Sequence, residues 1–85
     1  MTTTQDNKPV KQFRSINGIS ASVWKRTSKD GEVFYTTSLD RSYREGDVWK
    51  RTSNFRHEEL TIVRKLAAKA EAFIDELLLD DDDAA

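Results

Sequence analysis

Three glycines divide residues 10–55 of this 85-residue chain into short segments, and each glycine stands in a turn signal. Asp30-Gly31 is a dipeptide typical of tight hairpin turns, and Gly46 lies in the polar run Arg44-Glu-Gly-Asp47. The segments between the turns are rich in β-branched and aromatic residues, as strands are. They cover Ile19–Thr27, Val33–Leu39 with an extension to Tyr43, Val48–Phe55 and, before the Asn17-Gly18 turn, Val10–Ile16. Because short turns join antiparallel neighbours, the pattern predicts a meander of three to four strands.

The rest of the chain follows a helical period. Apolar residues recur every three or four positions from Leu60 to Leu77, which predicts one long helix over residues 57–79, capped by Asn54 or His57. Four carboxylates at 80–83 oppose the helix dipole, so the helix is expected to end near residue 79. The predicted fold class is α+β, an antiparallel meander followed by one long C-terminal helix packed on one sheet face. The expected organisation is a flexible N-terminal tail over 1–9, a single domain over 10–79 and an acidic C-terminal tail over 80–85.

Charge is distributed unevenly along the chain. Residues 8–56 contain 11 Lys or Arg against 5 Asp or Glu, whereas residues 57–85 contain 3 against 9. The formal net charge of −1 therefore conceals a basic strand region followed by an acidic helical region.

The residue types that most catalytic and metal sites require are scarce. The chain has no Cys, one His and three scattered Gly, which excludes thiolate sites, histidine clusters and a glycine-rich phosphate loop. We expect no enzyme, no cofactor and no metal, and a cap or surface role for His57. No apolar run approaches a membrane span, and residues 1–7 lack the pattern of a secretory signal, so a cytoplasmic protein is expected.

Alternation along the strands predicts which residues face the helix. The predicted core face comprises Ala21, Val23, Tyr35, Thr37, Leu39, Trp49, Ser53 and Phe55. The predicted uncovered face comprises Ser22, Trp24, Arg26, Phe34, Thr36, Ser38, Val48, Lys50 and Thr52. Trp24 and Phe34 would then stand among hydroxyls and cations without a covering element.

Aromatic rings interleaved with cations are typical of surfaces that bind single-stranded nucleic acid, because bases stack on the rings and phosphates pair with the cations. The predicted binding residues are Trp24, Lys25, Arg26, Phe34, Arg41, Tyr43, Arg44 and Lys50. The alternative is that the rings fill a second interface and the cations are ordinary solvated surface.

One hexapeptide, Val-Trp-Lys-Arg-Thr-Ser, occurs at 23–28 and again at 48–53. Two copies are too few for a repeat array, and two strands under similar demands would look the same. Each copy places an aromatic residue beside two cations.

The apolar stripe of the helix is wider than a helix that only covers a sheet requires. The excess predicts a homodimer with its interface at Leu66, Ala70, Phe73 and Leu77. The alternative is that Leu66 and Phe73 cover the sheet of their own chain.

Two resemblances accompany these patterns. The runs Ser-Ala-Ser-Val-Trp (20–24), Val-Phe-Tyr (33–35), Arg-Ser-Tyr-Arg-Glu-Gly-Asp-Val-Trp-Lys (41–50), Ser-Asn-Phe (53–55) and Glu-Glu-Leu (58–60) resemble a group of small uncharacterised bacterial and phage proteins. The layout, with Trp24, Lys25 and Arg26 ahead of the Lys29-Asp-Gly31 turn, is similar to the positive cofactor 4-like fold. That resemblance implies a homodimer that binds single-stranded DNA on curved strands, although the helix here is longer and the acidic tail is not part of that motif.

The preferred hypothesis is a homodimeric single-stranded nucleic-acid-binding protein, with DNA favoured over RNA. An alternative is a protein-interaction module, such as a phage-type inhibitor or adaptor of a host complex, whose acidic half imitates nucleic acid. A third is a structural subunit without a ligand. The carboxylates at 80–83 could recruit a partner, shield the basic face or only solubilise the chain.

Overall fold

The computed structural model describes residues 8–84, with side chains over residues 8–79. The elements are β1 (Lys11–Arg14), β2 (Ile19–Thr27), β3 (Val33–Glu45), β4 (Val48–Thr52), a 3₁₀ turn (His57–Glu59) and α1 (Leu60–Ala84). The strands pair in sequence order, and every pair is antiparallel. The predicted α+β meander with one C-terminal helix is therefore confirmed. Most of the predicted N-terminal tail lies outside the described residues, as does the last residue of the acidic tail.

The turns between strands use glycine where the backbone requires it. Gly18 has a φ of +84°, and its carbonyl accepts a 2.9 Å hydrogen bond from the Ser42 backbone N–H. A Cβ at this position would lie 2.9 Å from the Ser42 carbonyl oxygen. The β1–β2 turn is thus hydrogen-bonded to β3. Only glycine permits this close approach and the positive φ without strain.

The core lies between the sheet and the first half of α1. Ile19, Ala21 and Leu66 form its buried centre, and Phe13 and Leu39 pack against them. The Phe13 ring also meets Phe73 of α1 edge-on, with ring centroids 6.2 Å apart. These contacts place α1 across β1, β2 and β3, on the face we call the helix face, which carries Phe13, Ile19, Ala21, Val23 and Leu39.

The two ends of the helix differ from the sequence prediction. The backbone N–H of Arg56 donates a 2.7 Å hydrogen bond to Glu59 Oε1, so the cap comes from Glu59 and not from Asn54 or His57. At the other end the helix continues to Ala84 instead of ending near Leu79. Each unfavourable charge–dipole term is roughly 0.3–1 kcal/mol and is screened by salt, and extending a helix that is already formed requires no new nucleation.

Candidate nucleic-acid interface

The strand register decides which residues lie opposite α1. Alternation from the helix-face positions, carried through the three antiparallel pairings, assigns the other residues of the strands to the second face. We call this surface the open face. Its members are Gln12, Arg14, Ser20, Ser22, Trp24, Arg26, Phe34, Thr36, Ser38, Asp40, Ser42, Arg44, Trp49 and Arg51. Among the residues that the structure describes, no helix or second sheet packs on it.

Trp49 lies on the open face and not in the predicted core. It pairs with Arg44 across β3 and β4, and it is 67% exposed. The cause is the length of the second hairpin loop. The loop has two residues and pairs Glu45 with Val48. Odd-numbered residues of β3 therefore pair with even-numbered residues of β4 and lie on the same side of the sheet as they do, which puts Trp49 on the other side.

The same register moves the rest of β4. Val48, Lys50 and Thr52, predicted on the uncovered face, belong to the helix side of the sheet. Phe55, which follows the strand, packs against the core as predicted.

The eight predicted binding residues divide equally between the two faces. Trp24, Arg26, Phe34 and Arg44 lie on the open face, whereas Lys25, Arg41, Tyr43 and Lys50 lie on the helix face. Two of the latter are engaged with carboxylates: Arg41 Nε lies 3.2 Å from Glu59 Oε2, and Lys50 pairs with Glu45. The open-face set is therefore smaller than predicted, and it gains three residues that sequence reasoning missed: Arg14, Trp49 and Arg51.

One cluster on the open face stands where β2 meets the start of β3. The Trp24 Nε1–H donates to Ser38 Oγ at 3.0 Å, and the Arg26 guanidinium lies over the indole with its carbon 5.3 Å from the ring centroid. Phe34 pairs with Arg26 across the strands and is 46% exposed. We call Trp24, Arg26 and Phe34 the β2 station.

A second cluster stands where β4 meets the end of β3. It consists of Arg44, Trp49 and Arg51, which we call the β4 station. Arg44 Nε–H donates to the Gly46 carbonyl at 3.0 Å, and Arg51 Nη1 lies 3.8 Å from Asp40 Oδ2. The Trp49 indole has no covering neighbour comparable to Arg26 over Trp24 in the described structure.

Polar side chains occupy the open face between the stations. Ser20 Oγ–H donates to Asp40 Oδ1 at 3.0 Å, and Gln12 Nε2–H donates to Ser22 Oγ at 3.1 Å. A cavity of about 340 Å³ opens beside the β1–β2 turn at the edge of this polar region, with Arg14 and Arg51 among its lining residues. The two stations are thus joined by a hydrogen-bonding surface and not by an apolar one.

The cations on the two faces differ in kind. The strand positions of the open face carry Arg14, Arg26, Arg44 and Arg51 with one carboxylate, Asp40. The strand lysines lie on the helix side. Arginine stacks on aromatic rings and bonds phosphate through two parallel donors, whereas lysine acts as a point charge.

The predicted dimer interface is largely used within one chain. Leu66 is 3% exposed and Ala70 is 2% exposed, because both are covered by their own sheet, and Phe73 contacts Phe13. The prediction of Leu66 and Ala70 as dimer contacts is therefore wrong. Leu77 stays partly exposed, and the neighbouring Leu78 is 47% exposed.

The described residues contain no group of three or more His, Asp or Glu placed to hold a metal ion. No helix in the same part of the chain is long and apolar enough to cross a membrane. No protein-family model, curated protein or solved structure matches this chain. The two resemblances suggested by the sequence stay predictions.

Proposed function

We propose that this chain binds single-stranded nucleic acid on its open face. The observation that carries the proposal is the register of β2, β3 and β4, which sets both tryptophans of the chain on one uncovered surface. Four arginines share that surface with a single strand carboxylate. Rings and guanidinium groups on one face match the alternation of bases and phosphates along a strand.

The ligand is single-stranded because the rings need free base faces. In a duplex the bases stack on one another, whereas an unpaired base can stack on indole or phenyl at about 1–3 kcal/mol. Arg26 already lies over Trp24, so the β2 station can present a ring on one side and a charge on the other. Affinity then comes from stacking and counterion release without reading a base sequence.

DNA is favoured over RNA on the resemblance to the positive cofactor 4-like fold. Matched oligonucleotides of deoxythymidine and uridine test this preference directly. Equal affinity for both would restrict the proposal to single strands in general.

We propose a homodimer that leaves the open face free. Since the sheet of the same chain covers Leu66 and Ala70, a second copy would contact the apolar side chains near Leu77 and Leu78. Sedimentation of the intact chain and of Leu78→Asp tests this contact. A monomeric intact chain would remove the dimer and leave the binding proposal unchanged.

The test is a tryptophan-fluorescence titration with unstructured dT12 at low and moderate salt. We expect quenching that weakens as salt rises, and weaker quenching in Arg26→Gln than in Lys25→Gln. The two variants lose the same charge at adjacent positions on opposite faces. Absence of quenching at low salt would refute stacking on the open face. Partner capture from a host lysate, with and without residues 80–85, would then test the protein-interaction alternative.

A further inference from the structure

The repeated hexapeptide places two similar stations on one surface. β2 and β4 are both antiparallel to β3, so they run in the same direction. The copy at 23–28 sets Trp24 and Arg26 on the open face, and the copy at 48–53 sets Trp49 and Arg51 there. The intervening lysine points to the other side in both copies.

The stations are widely separated along β3. Trp24 pairs with Thr36, whereas Trp49 pairs with Arg44, so the two indoles are offset by eight residues of β3. At about 3.4 Å per residue this offset is roughly 27 Å along the strand, and the two strand spacings add about 10 Å across it. One base cannot contact both rings.

We infer that one nucleic-acid strand occupies both stations at once and crosses the polar surface between them. The inference rests on the proposed function and adds a minimum ligand length to it. A trinucleotide has two internucleotide steps, which would each have to span roughly 14 Å, about four times the stacked spacing of 3.4 Å. A dodecanucleotide has eleven steps and covers the distance even when fully stacked.

The polar surface between the stations suits a bridging strand. Two separate hydrogen-bonded pairs, Gln12 with Ser22 across β1 and β2 and Ser20 with Asp40 across β2 and β3, make this surface hydrophilic. Arg14 and Arg51 line a cavity together with Gln12 and Ser20, so both guanidinium groups can meet phosphates of a strand that crosses this surface.

Joining two weak contacts through one ligand makes the second contact intramolecular. A ligand that reaches both stations loses a full stacking contact when either ring is removed. A ligand that reaches only one station can still bind at the other station when one ring is removed. The number of binding sites per chain is then halved, and the affinity of the remaining site is unchanged. The two ligand lengths therefore separate a bridged site from two independent ones.

The experiment measures the affinity and stoichiometry of dT3 and dT12 for the intact chain, Trp24→Ala and Trp49→Ala. For dT12 we expect one strand per chain. We also expect each variant to bind dT12 with an affinity roughly 5- to 150-fold lower, equivalent to one stacked base. For dT3 we expect two molecules per chain and a loss of at most about twofold. Circular dichroism confirms the fold of each variant.

Trp24→Phe and Trp49→Phe provide a second measurement that does not remove a ring. Each leaves one tryptophan, which reports its own station. We expect dT12 to quench both indoles with the same midpoint.

Three results would overturn the inference while leaving the proposed function in place. The first is an equal loss of affinity for dT3 and dT12 in the alanine variants. The second is a loss of dT12 affinity in only one of the two alanine variants. The third is a difference between the dT12 concentrations that half-quench the two indoles. Absence of any dT12 binding would overturn the proposed function as well.

Discussion

Neighbouring cations on opposite faces of one strand offer a direct test of which face binds. In β4, Arg51 lies on the open face and Lys50 on the helix face. Arg51→Gln and Lys50→Gln remove the same charge one residue apart. Both side chains are well exposed and each has a nearby carboxylate, so the folding cost of either change is small.

The expected difference follows from counting phosphate contacts. Each cation that neutralises a phosphate of a single strand contributes about −0.7 to the slope of log affinity against log salt. If all four open-face arginines engage phosphates, the slope is about −2.8, and affinity falls about 50-fold between 50 and 200 mM salt. In Arg51→Gln the slope becomes about −2.1, and the same change in salt lowers affinity about 18-fold.

The assay is fluorescence titration with dT12 at four salt concentrations for the intact chain and both variants. Lys50→Gln should keep the slope of the intact chain. An equal reduction of the slope by Lys50→Gln and Arg51→Gln would contradict binding on the open face, because the charge would then act through the whole molecule and not through one face. An unchanged slope in Arg51→Gln would show that Arg51 does not neutralise a phosphate.

Three further changes test the fold and the electrostatics of the open face. Leu66→Ala should lower the free energy of unfolding by about 2–5 kcal/mol in urea denaturation, because the side chain fills the core, and a loss below 1 kcal/mol would mean that the site collapses freely. Gly18→Ala should destabilise the chain more than Gly31→Ala, since both have positive φ but only the first brings a Cβ within 2.9 Å of backbone; equal losses would show that φ strain alone matters. Asp40→Asn should raise affinity for dT12 a few-fold by releasing Arg51 for phosphate, and lowered affinity would indicate that Asp40 instead positions that arginine.

Much of the fold could be predicted because its signals are local. The strand Ile19–Thr27 has the predicted bounds, and Gly18, Gly31 and Gly46 all adopt positive φ in the turns that their neighbours suggested. Turn residues and strand composition act over a few positions, so a single sequence carries them.

The face of β4 could not be assigned from composition, because it depends on the number of residues in one loop. With Gly46 and Asp47 as the whole loop, Glu45 pairs with Val48 and Trp49 turns to the open face. Adding or removing one loop residue would reverse every side chain of the strand. The signal was present in Gly46, since a glycine with positive φ at the first loop position suits the two-residue type II′ hairpin.

The helix shows a different limit. A wide apolar stripe predicts that Leu66 and Ala70 are buried, but it does not identify the surface that buries them. The sheet is broad enough to cover both, because α1 crosses three strands and Phe13 extends the cover to Phe73. The width of the stripe therefore predicts that these side chains are buried, but not whether their own sheet or a second copy of the chain buries them.

The two hexapeptides show which properties of a strand its own sequence determines and which depend on its place in the sheet. Val23 is fully buried in the central β2, whereas Val48 is 56% exposed in the edge strand β4. Burial thus depends on the position of the strand in the sheet.

The relation between Trp and Arg within each copy is different, because residues two apart in a strand share a face. In a meander, strands separated by one neighbour run in the same direction, so the copies in β2 and β4 can present the same pair of side chains in the same order. That arrangement gives one surface two matching contacts for a ligand that is itself a repeating chain.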